Sequence, residues 1–391
     1  MRLTEDQRGF ADAVFAFCRS ECGTLAQRDA LTDGGRLSNS PQLLEKLAGL
    51  GWLGVSLPER FGGGGGGFVE ECVFLEQTSR GLAPITGYST GLTAAQTYLK
   101  WGSEEQQRTV VGNLAAGKLE AIALSEPGAG SDLGGVRLKS ARDGEDYVIN
   151  GQKTWISAAH VAEHLLVLTR EDDSGGKHEG LTLLMVPTAT PGLEIRAIDT
   201  MEAHTVNDVF FTDVRVPESA VVGTPRNGWR QLMRGLGVER LIIAAMSIGS
   251  AQRALDDVID YVGEREQFGR RIGSFQALRH RIADLATDIE LGRAFLYDCA
   301  DRIDAGQEAL LARESAMAKM RCTEIAKHTT LEAMQMMGGY GYAREYGMEG
   351  QVRRALAPPI YGGTNEIQRE IIAKSLLDNA FSGKRGEVRS A

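Results

Sequence analysis

The sequence contains no uninterrupted apolar run of membrane-spanning length, so no transmembrane helix is expected. It also lacks any basic block. Lys and Arg total 43 against 52 Asp and Glu, giving a formal net charge of −9 and a pI near 5.4. An acidic chain of this kind is a poor ligand for nucleic acid or an anionic membrane surface, and neither is expected as a partner. Cysteine is scarce and odd in number, five in all, with no Cys-x-x-Cys spacing. That fits reduced thiols and a cytoplasmic location rather than a disulfide framework. Cys18 and Cys22 fall four apart on an expected helix, but no histidine lies near them. None of the six histidines forms a ligand-spaced pair with a carboxylate, so no metal centre is expected. His160 and His164 fall in a strand-like region, as surface or packing residues. The polar, acidic start Met1–Gln7 is neither a secretory signal nor an Arg-rich transit peptide. No internal repeat is present.

What is present is an ordinary globular composition, 42% hydrophobic and 24% charged over 391 residues, enough for two or three domains. Residues 1–120 show helical periodicity. Thr4 with Glu5 and Asp6 gives a start signal, and Phe10, Ala13, Val14 and Phe17 recur at helical spacing. Ser40-Pro41 opens a second helix carrying Leu43, Leu44, Leu47 and Leu50. The glycine run Gly62–Gly67 cannot continue a helix. It could serve as a phosphate cradle, but no strand leads in and no Lys-Ser/Thr follows, so it is assigned as a loop. Phe68–Arg80 resumes a helix, and Trp101–Glu105 marks a helix end and the next cap. From residue 121 short strand-like runs alternate with Gly, Asp, Asn and Pro: Ala121–Leu124, Tyr147–Ile149, Leu165–Thr169, Leu181–Val186 and Phe210–Val216. The chain then turns helical again, with amphipathic runs at 229–263, 275–304 and 309–337. The expected fold class is α+β multidomain: an N-terminal α-helical domain (1–120), a middle β-barrel or sandwich domain (121–226) and a C-terminal helical-bundle domain (227–391). The tail 382–391 is expected to fray.

Five stretches can carry chemistry. Ala123–Asp132 is rich in small residues that let backbone amides approach a planar ligand, with hydroxyls at Ser125 and Ser131; a plain Gly-rich turn would look the same. Asn150–Ser157 opens as an Asn-Gly hairpin turn and delivers Trp155 and Ser157 to one strand face, an aromatic plane and a hydroxyl that suit a flavin ring. Arg265–Gln276 offers Arg265 to a phosphate. Gln335–Tyr342 and Ile360–Gln368 contain Gly338, Gly339, Gly362 and Gly363, where main chain can close on a ligand. Apart from these, Glu239 and Arg240 stand together at the head of the apolar run Leu241–Ile248. A carboxylate there is costly unless paired or used; as a helix cap it would favour the positive end of the dipole.

In this order and spacing the pieces resemble the acyl-CoA dehydrogenase family, from about residue 5 to residue 378. Leu57-Pro58-Glu59 before the glycines and Asp213–Pro217 are further matches. The resemblance implies FAD as cofactor, touched by Leu124, Ser125, Gly130, Ser131, Trp155 and Ser157. It places Arg265, Phe268, Gln276, Gln335 and Gly339 on the FAD pyrophosphate and adenine of a neighbouring subunit in a homotetramer, with Thr364 and Glu366 completing the cofactor site. It also implies an acyl-CoA or acyl-carrier-protein substrate and an electron-transferring flavoprotein as partner. Ser131, Arg240 and Gly362 are the expected substrate contacts.

Many family members carry a catalytic glutamate in Tyr-Glu-Gly-Thr. Here the sequence is Tyr361-Gly362-Gly363-Thr364, and glycine abstracts no proton. In the long-chain and isovaleryl branches the base comes instead from the helix bearing the Glu-Arg pair, which makes Glu239 the expected base, removing the α-proton while hydride passes from the β-carbon to flavin N5. Burial raises the pKa of Glu239 and Arg240 lowers it, so the two oppose one another. Thr200–His204 and Arg353–Pro359 depart from the family's usual Gly-x-Arg-x-Ser and Arg-Asp-Ala stretches, which bears on substrate identity more than on reaction type. The alternatives are a dehydrogenase of a carrier-bound acyl group, a flavin oxidase or monooxygenase on the same scaffold, and a non-catalytic acyl-CoA-binding protein.

Overall fold

A computed structural model describes residues 3–171, 176–233, 235–307 and 311–381. The chain divides into two compact units. One contains Ala16–Phe74 and Leu82–Leu236; the other contains the chain up to Phe15, Leu75–Gly81 and everything from Gly237 onward.

The first unit combines helices with a curled seven-stranded sheet. The strands are β1 (Leu119–Ala123), β2 (Lys139–Asp143), β3 (Asp146–Ser157), β4 (Ala162–Arg170), β5 (Leu181–Pro187), β6 (Leu193–Ala197) and β7 (Val206–Pro217). Their order is β1-β4-β2-β3-β7-β6, with β5 paired to β4. Tyr147, Ile149, Leu165, Val167, Val209 and Val214 fill one face of the sheet, the period-2 burial that half-covered strands require. The five expected strand runs all fall on strands. β2 and β6 escape sequence reading because both are short: β2 is polar with only Ser140 buried, and β6 alternates over five residues, its Leu193 and Ile195 only partly buried against the core.

One turn assignment is corrected. Asn150-Gly151 is not a hairpin turn; it lies inside β3, where the register against β7 shifts between Ile149 and Gly151. The Asn150 amide brackets Asp213, accepting from its N–H at 2.9 Å and donating to its carboxylate at 3.0 Å. These residues therefore form a bulge rather than a turn. The turn that joins β2 to β3 contains Gly144 at φ +66° instead, the positive φ a two-residue hairpin needs at its first central position.

The glycine run has a structural explanation. Gly63 through Gly66 donate their amides to Pro58, Gly54, Leu57 and Val55 carbonyls at 2.8–3.1 Å. A Cβ added at Gly63 would meet the Leu57 carbonyl oxygen at 2.2 Å. The run is tight because chain packs on chain.

The second unit is helical, built on Leu236–Glu264, Gln276–Asp304, Ala312–Met337 and Asn365–Phe381. The expected runs at 229–263, 275–304 and 309–337 correspond to these helices, with the first divided at Gly235 and residues 309–310 outside the described residues. The helix Ala312–Met337 packs on both the Gln276 and the Asn365 helices. The C-terminal tail, expected to fray, also lies outside the described residues. All five cysteines are buried and free, and no group of metal-ligating side chains occurs among the described residues. No described helix is long and apolar enough to cross a membrane.

Candidate active site

In the helical unit Glu239 sits in the first turn of Leu236–Glu264. The buried, close-packed face carrying Leu241, Ile242, Ala244 and Ala245 fixes this helix in place. Opposite Glu239 lies the turn Tyr361-Gly362-Gly363. A Cβ built on Gly362 would stand 3.8 Å from Glu239 Oε1 and 2.3 Å from Ile243 Cδ1. Gly362 and Gly363 both have positive φ, +63° and +76°, which other L-residues adopt at a cost of about 1–2 kcal/mol. The glycine thus serves two needs: left-handed backbone, and room for the carboxylate and for Ile243. No described residue accepts a hydrogen bond from the Gly362 amide.

The opposing effects on Glu239 resolve in favour of burial, which raises its carboxyl above the ordinary range against the pull of Arg240 and then Lys319. Burial likewise lowers the Arg240 pKa, with Glu239 opposing. The Arg240 Nε is enclosed and has no hydrogen-bond partner among the described residues. Lys319 was not singled out from sequence. Its ammonium is fully buried and donates to the Gly363 carbonyl at 2.8 Å and Asn365 Oδ1 at 3.1 Å. On an amphipathic helix a lone lysine looks like a solvated residue, so only its neighbours reveal it.

Arg265 and Gly339 come together. They line one cleft of about 590 Å³ with Gly338, Tyr340 and Met337. The Arg265 guanidinium lies 5.1 Å from the Tyr340 ring centroid. Gln335 is exposed and its carbonyl caps the Ala312–Met337 helix through Gly338 N–H. Phe268 and Gly269 form the tip of a two-stranded hairpin, β8 (Glu266–Gln267) with β9 (Arg270–Arg271). Phe268 is 91% exposed at φ +54° and meets Phe275 edge-on. Gln276 is exposed at the start of the next helix. Thr364 caps the Asn365 helix, accepting from Ile367 N–H, and Glu366 is exposed beside Arg369; these two account for themselves as a helix start.

In the sheet-bearing unit the first two expected flavin stretches are tied together. Thr154 N–H donates to the Ser125 carbonyl at 3.0 Å. Lys153, fully buried, donates to the Leu124 carbonyl and to Glu126 Oε1, both at 2.8 Å. Burial lowers its pKa to about 8 despite Glu126. Glu126 in turn accepts from Arg137 and Leu138 N–H. Trp155, at φ +61° and 60% exposed, and the half-buried Ser157 project where Thr154 and Ile156 are buried, so both lie on the more open side of β3. Gly130 and Ser131 are exposed beyond β1.

The glycines of the expected cofactor stretches differ from the packed glycine run. An added Cβ would meet nothing within 4 Å at Gly128, Gly130, Gly338 or Gly339. These positions leave backbone open, unlike Gly63; in the helical unit Gly338 and Gly339 do so beside Arg265, whose guanidinium suits a phosphate.

The departing stretch Thr200–His204 also has a role. His204 stacks on His160 at 3.8 Å, and each ring nitrogen set reaches Asn207, at 2.8 Å from His204 and 3.1 Å from His160. Asn207 donates to the Ile156 carbonyl beside Ser157. His160 lies in a 3-10 turn rather than a strand; His164 is in β4 as expected, 3.1 Å from Glu120. A second cleft of about 800 Å³, lined by Trp101, Asn227, Trp229, Arg230 and Met233, contains no residue expected at the site.

Residues 4–118, 121–214 and 226–377 match the N-terminal, middle and C-terminal domains of acyl-CoA dehydrogenase. The chain is 36% identical to the probable acyl-CoA dehydrogenase YngJ of Bacillus subtilis (strain 168), covering 96% of this chain and 99% of that protein. It is 34% identical to the caffeyl-CoA reductase-Etf complex subunit CarC of Acetobacterium woodii over 86% of this chain and 89% of that one. The crystal structure of acyl-CoA dehydrogenase from Geobacillus kaustophilus matches with a TM-score of 0.89 at 31% identity, over 96% of this chain and 98% of that one. Sequence and fold agree: the chain belongs to the acyl-CoA dehydrogenase family of FAD-dependent oxidoreductases.

Proposed function

We propose that the protein desaturates an acyl-CoA at its α,β bond, with Glu239 as the base. The observation that carries this reading is the approach of Glu239 Oε1 to within 3.8 Å of the place where a side chain at 362 would begin. That is the position where other members carry their glutamate, so the carboxylate occupies the same neighbourhood from the facing helix. A base whose pKa is raised by burial accepts a proton more readily. The Gly362 N–H, which no described residue accepts, is available to the enolate oxygen that develops as the α-proton leaves. Bound FAD would supply the hydride acceptor. Leu124, Ser125, Gly130, Ser131, Trp155 and Ser157 would hold its ring end, while Arg265, Phe268, Gln276, Gln335 and Gly339, with Thr364 and Glu366, would hold its phosphates and adenine from a second copy in a homotetramer. Ser131, Arg240 and Gly362 would contact the substrate.

The helix-borne base favours a medium- to long-chain or branched acyl group and places the chain with the long-chain and isovaleryl branches. Electrons would leave to an electron-transferring flavoprotein in the cytoplasm, and the domains would divide at 120/121 and 226/227. The experiment is anaerobic mixing of the purified protein with butyryl-, octanoyl-, palmitoyl- and isovaleryl-CoA while flavin absorbance is followed. Bleaching by at least one ester, lost in Glu239→Gln, is expected. Bleaching only by a carrier-bound acyl group would transfer the assignment to a carrier-protein dehydrogenase, and rapid reoxidation by air would favour an oxidase.

A further inference from the structure

We infer that Lys319 is a positioning residue for proton abstraction: it anchors the Gly362–Gly363 turn and keeps a positive charge beside Glu239. The inference rests on Glu239 being the base. The turn is fixed from below at several points. Lys319 donates to the Gly363 carbonyl and to Asn365 Oδ1. Gln368, also fully buried, donates to the Gly362 carbonyl at 3.1 Å and the Gly363 carbonyl at 2.9 Å. Asn365 N–H closes the turn on the Pro359 carbonyl at 2.9 Å. With both glycine carbonyls held on this side, the Gly362–Gly363 and Gly363–Thr364 peptide planes are fixed, and they are the stretch of chain that directly follows the Gly362 N–H. Two residues with no side chain and left-handed backbone would otherwise be the loosest part of the wall.

The charge arrangement is unusual in the same way. A fully buried ammonium carries a heavy desolvation cost, and the groups that act on it are Glu239 and Glu366, which favour its charge, and Arg240, which opposes it. Burial nonetheless lowers its pKa to about 8, so it is mostly charged at neutral pH. From there it favours the ionised form of Glu239, the form that can accept a proton.

The test is a pH titration of the Glu239 carboxyl in the holoenzyme by infrared difference spectroscopy, the band being identified by its loss in Glu239→Gln. Flavin reduction by the most effective of the four acyl-CoA esters is measured in parallel. Lys319→Met should move the midpoint up by about one pH unit or more, and slow flavin reduction about tenfold below that midpoint. Gln368→Met, which loosens the turn without changing charge, should leave the midpoint in place and slow reduction at every pH. An unmoved midpoint in Lys319→Met, or wild-type rates in Gln368→Met, overturns the inference, and the second arm decides if Lys319→Met does not fold. Full activity in Glu239→Gln would instead remove the base assignment, since the titration is read without substrate.

Discussion

Moving the base across the site is the most demanding test of the geometry. Glu239→Gln should lower flavin reduction by about 10²–10⁴, the usual worth of a general base, with flavin content unchanged. Glu239→Gly combined with Gly362→Glu puts a carboxylate in the alternative position, and the structure states what stands in its way. The new Cβ must adopt φ +63°, which costs about 1–2 kcal/mol. It also meets Ile243 Cδ1 at 2.3 Å, whereas Ile243 Cγ1 lies at a comfortable 3.9 Å. Only the terminal methyl obstructs, and Ile243→Val removes only that atom. Forcing Ile243 off its rotamer would cost about 0.5–1.5 kcal/mol, and a displaced base loses rate steeply. The double variant should therefore recover a small part of the lost rate, and adding Ile243→Val should raise recovery by about tenfold. Single-turnover flavin reduction under anaerobic conditions measures all three. If the triple variant is no faster than Glu239→Gly alone while flavin and acyl-CoA still bind, the two positions do not address the same α-carbon and the reasoning fails.

The purified protein should be yellow and release FAD on acid treatment; a colourless protein that takes up no added FAD would contradict the cofactor assignment. Lys153→Met should cost about 1.5–3 kcal/mol in denaturant unfolding, because it removes the charged hydrogen bonds to Glu126 and the Leu124 carbonyl while Glu126 keeps its two backbone N–H donors, and should weaken FAD retention; an unchanged unfolding midpoint would show that the tie is dispensable. His160 has its pKa pushed down to about 4, first by burial and then by His204. The unfolded chain therefore binds the proton more readily, and stability should fall as pH drops from about 6.5 towards 4; His160→Gln should flatten that part of the thermal-denaturation profile. Light scattering should give a tetramer, and a monomer with full flavin occupancy would refute the shared cofactor site.

The helices and most strands were legible because burial imposes periodicity. Phe68–Arg80 was bounded correctly, and Thr4, Ser40 and Ser103 cap helices as their chemistry predicts. The misreadings share one cause: local signals say nothing about the partner across the sheet or bundle. Asn150-Gly151 has turn chemistry, but Asp213, 63 residues away, claims the Asn150 side chain. β6 carries only Leu193 and Ile195 to the core, and only its pairing with β7 marks it as a strand. At the site, the proposal of Glu239 as base rests on what Gly362 lacks, a relation between two motifs. Lys319 and Lys153 were missed because a lysine's burial is decided by tertiary neighbours and leaves no trace in spacing.

Phe268 has a further consequence. Its ring stands 91% exposed on strained backbone at a hairpin tip, where burial of a phenylalanine is worth about 1.5–3 kcal/mol. Under the proposed assembly that gain is realised only when a second copy and its cofactor arrive together. Flavin loading and subunit association then become linked equilibria, each altering the other by the same factor. Dilution should release FAD, excess FAD should hold the oligomer together at concentrations where the apoprotein dissociates, and Phe268→Ser should weaken both processes in the same proportion.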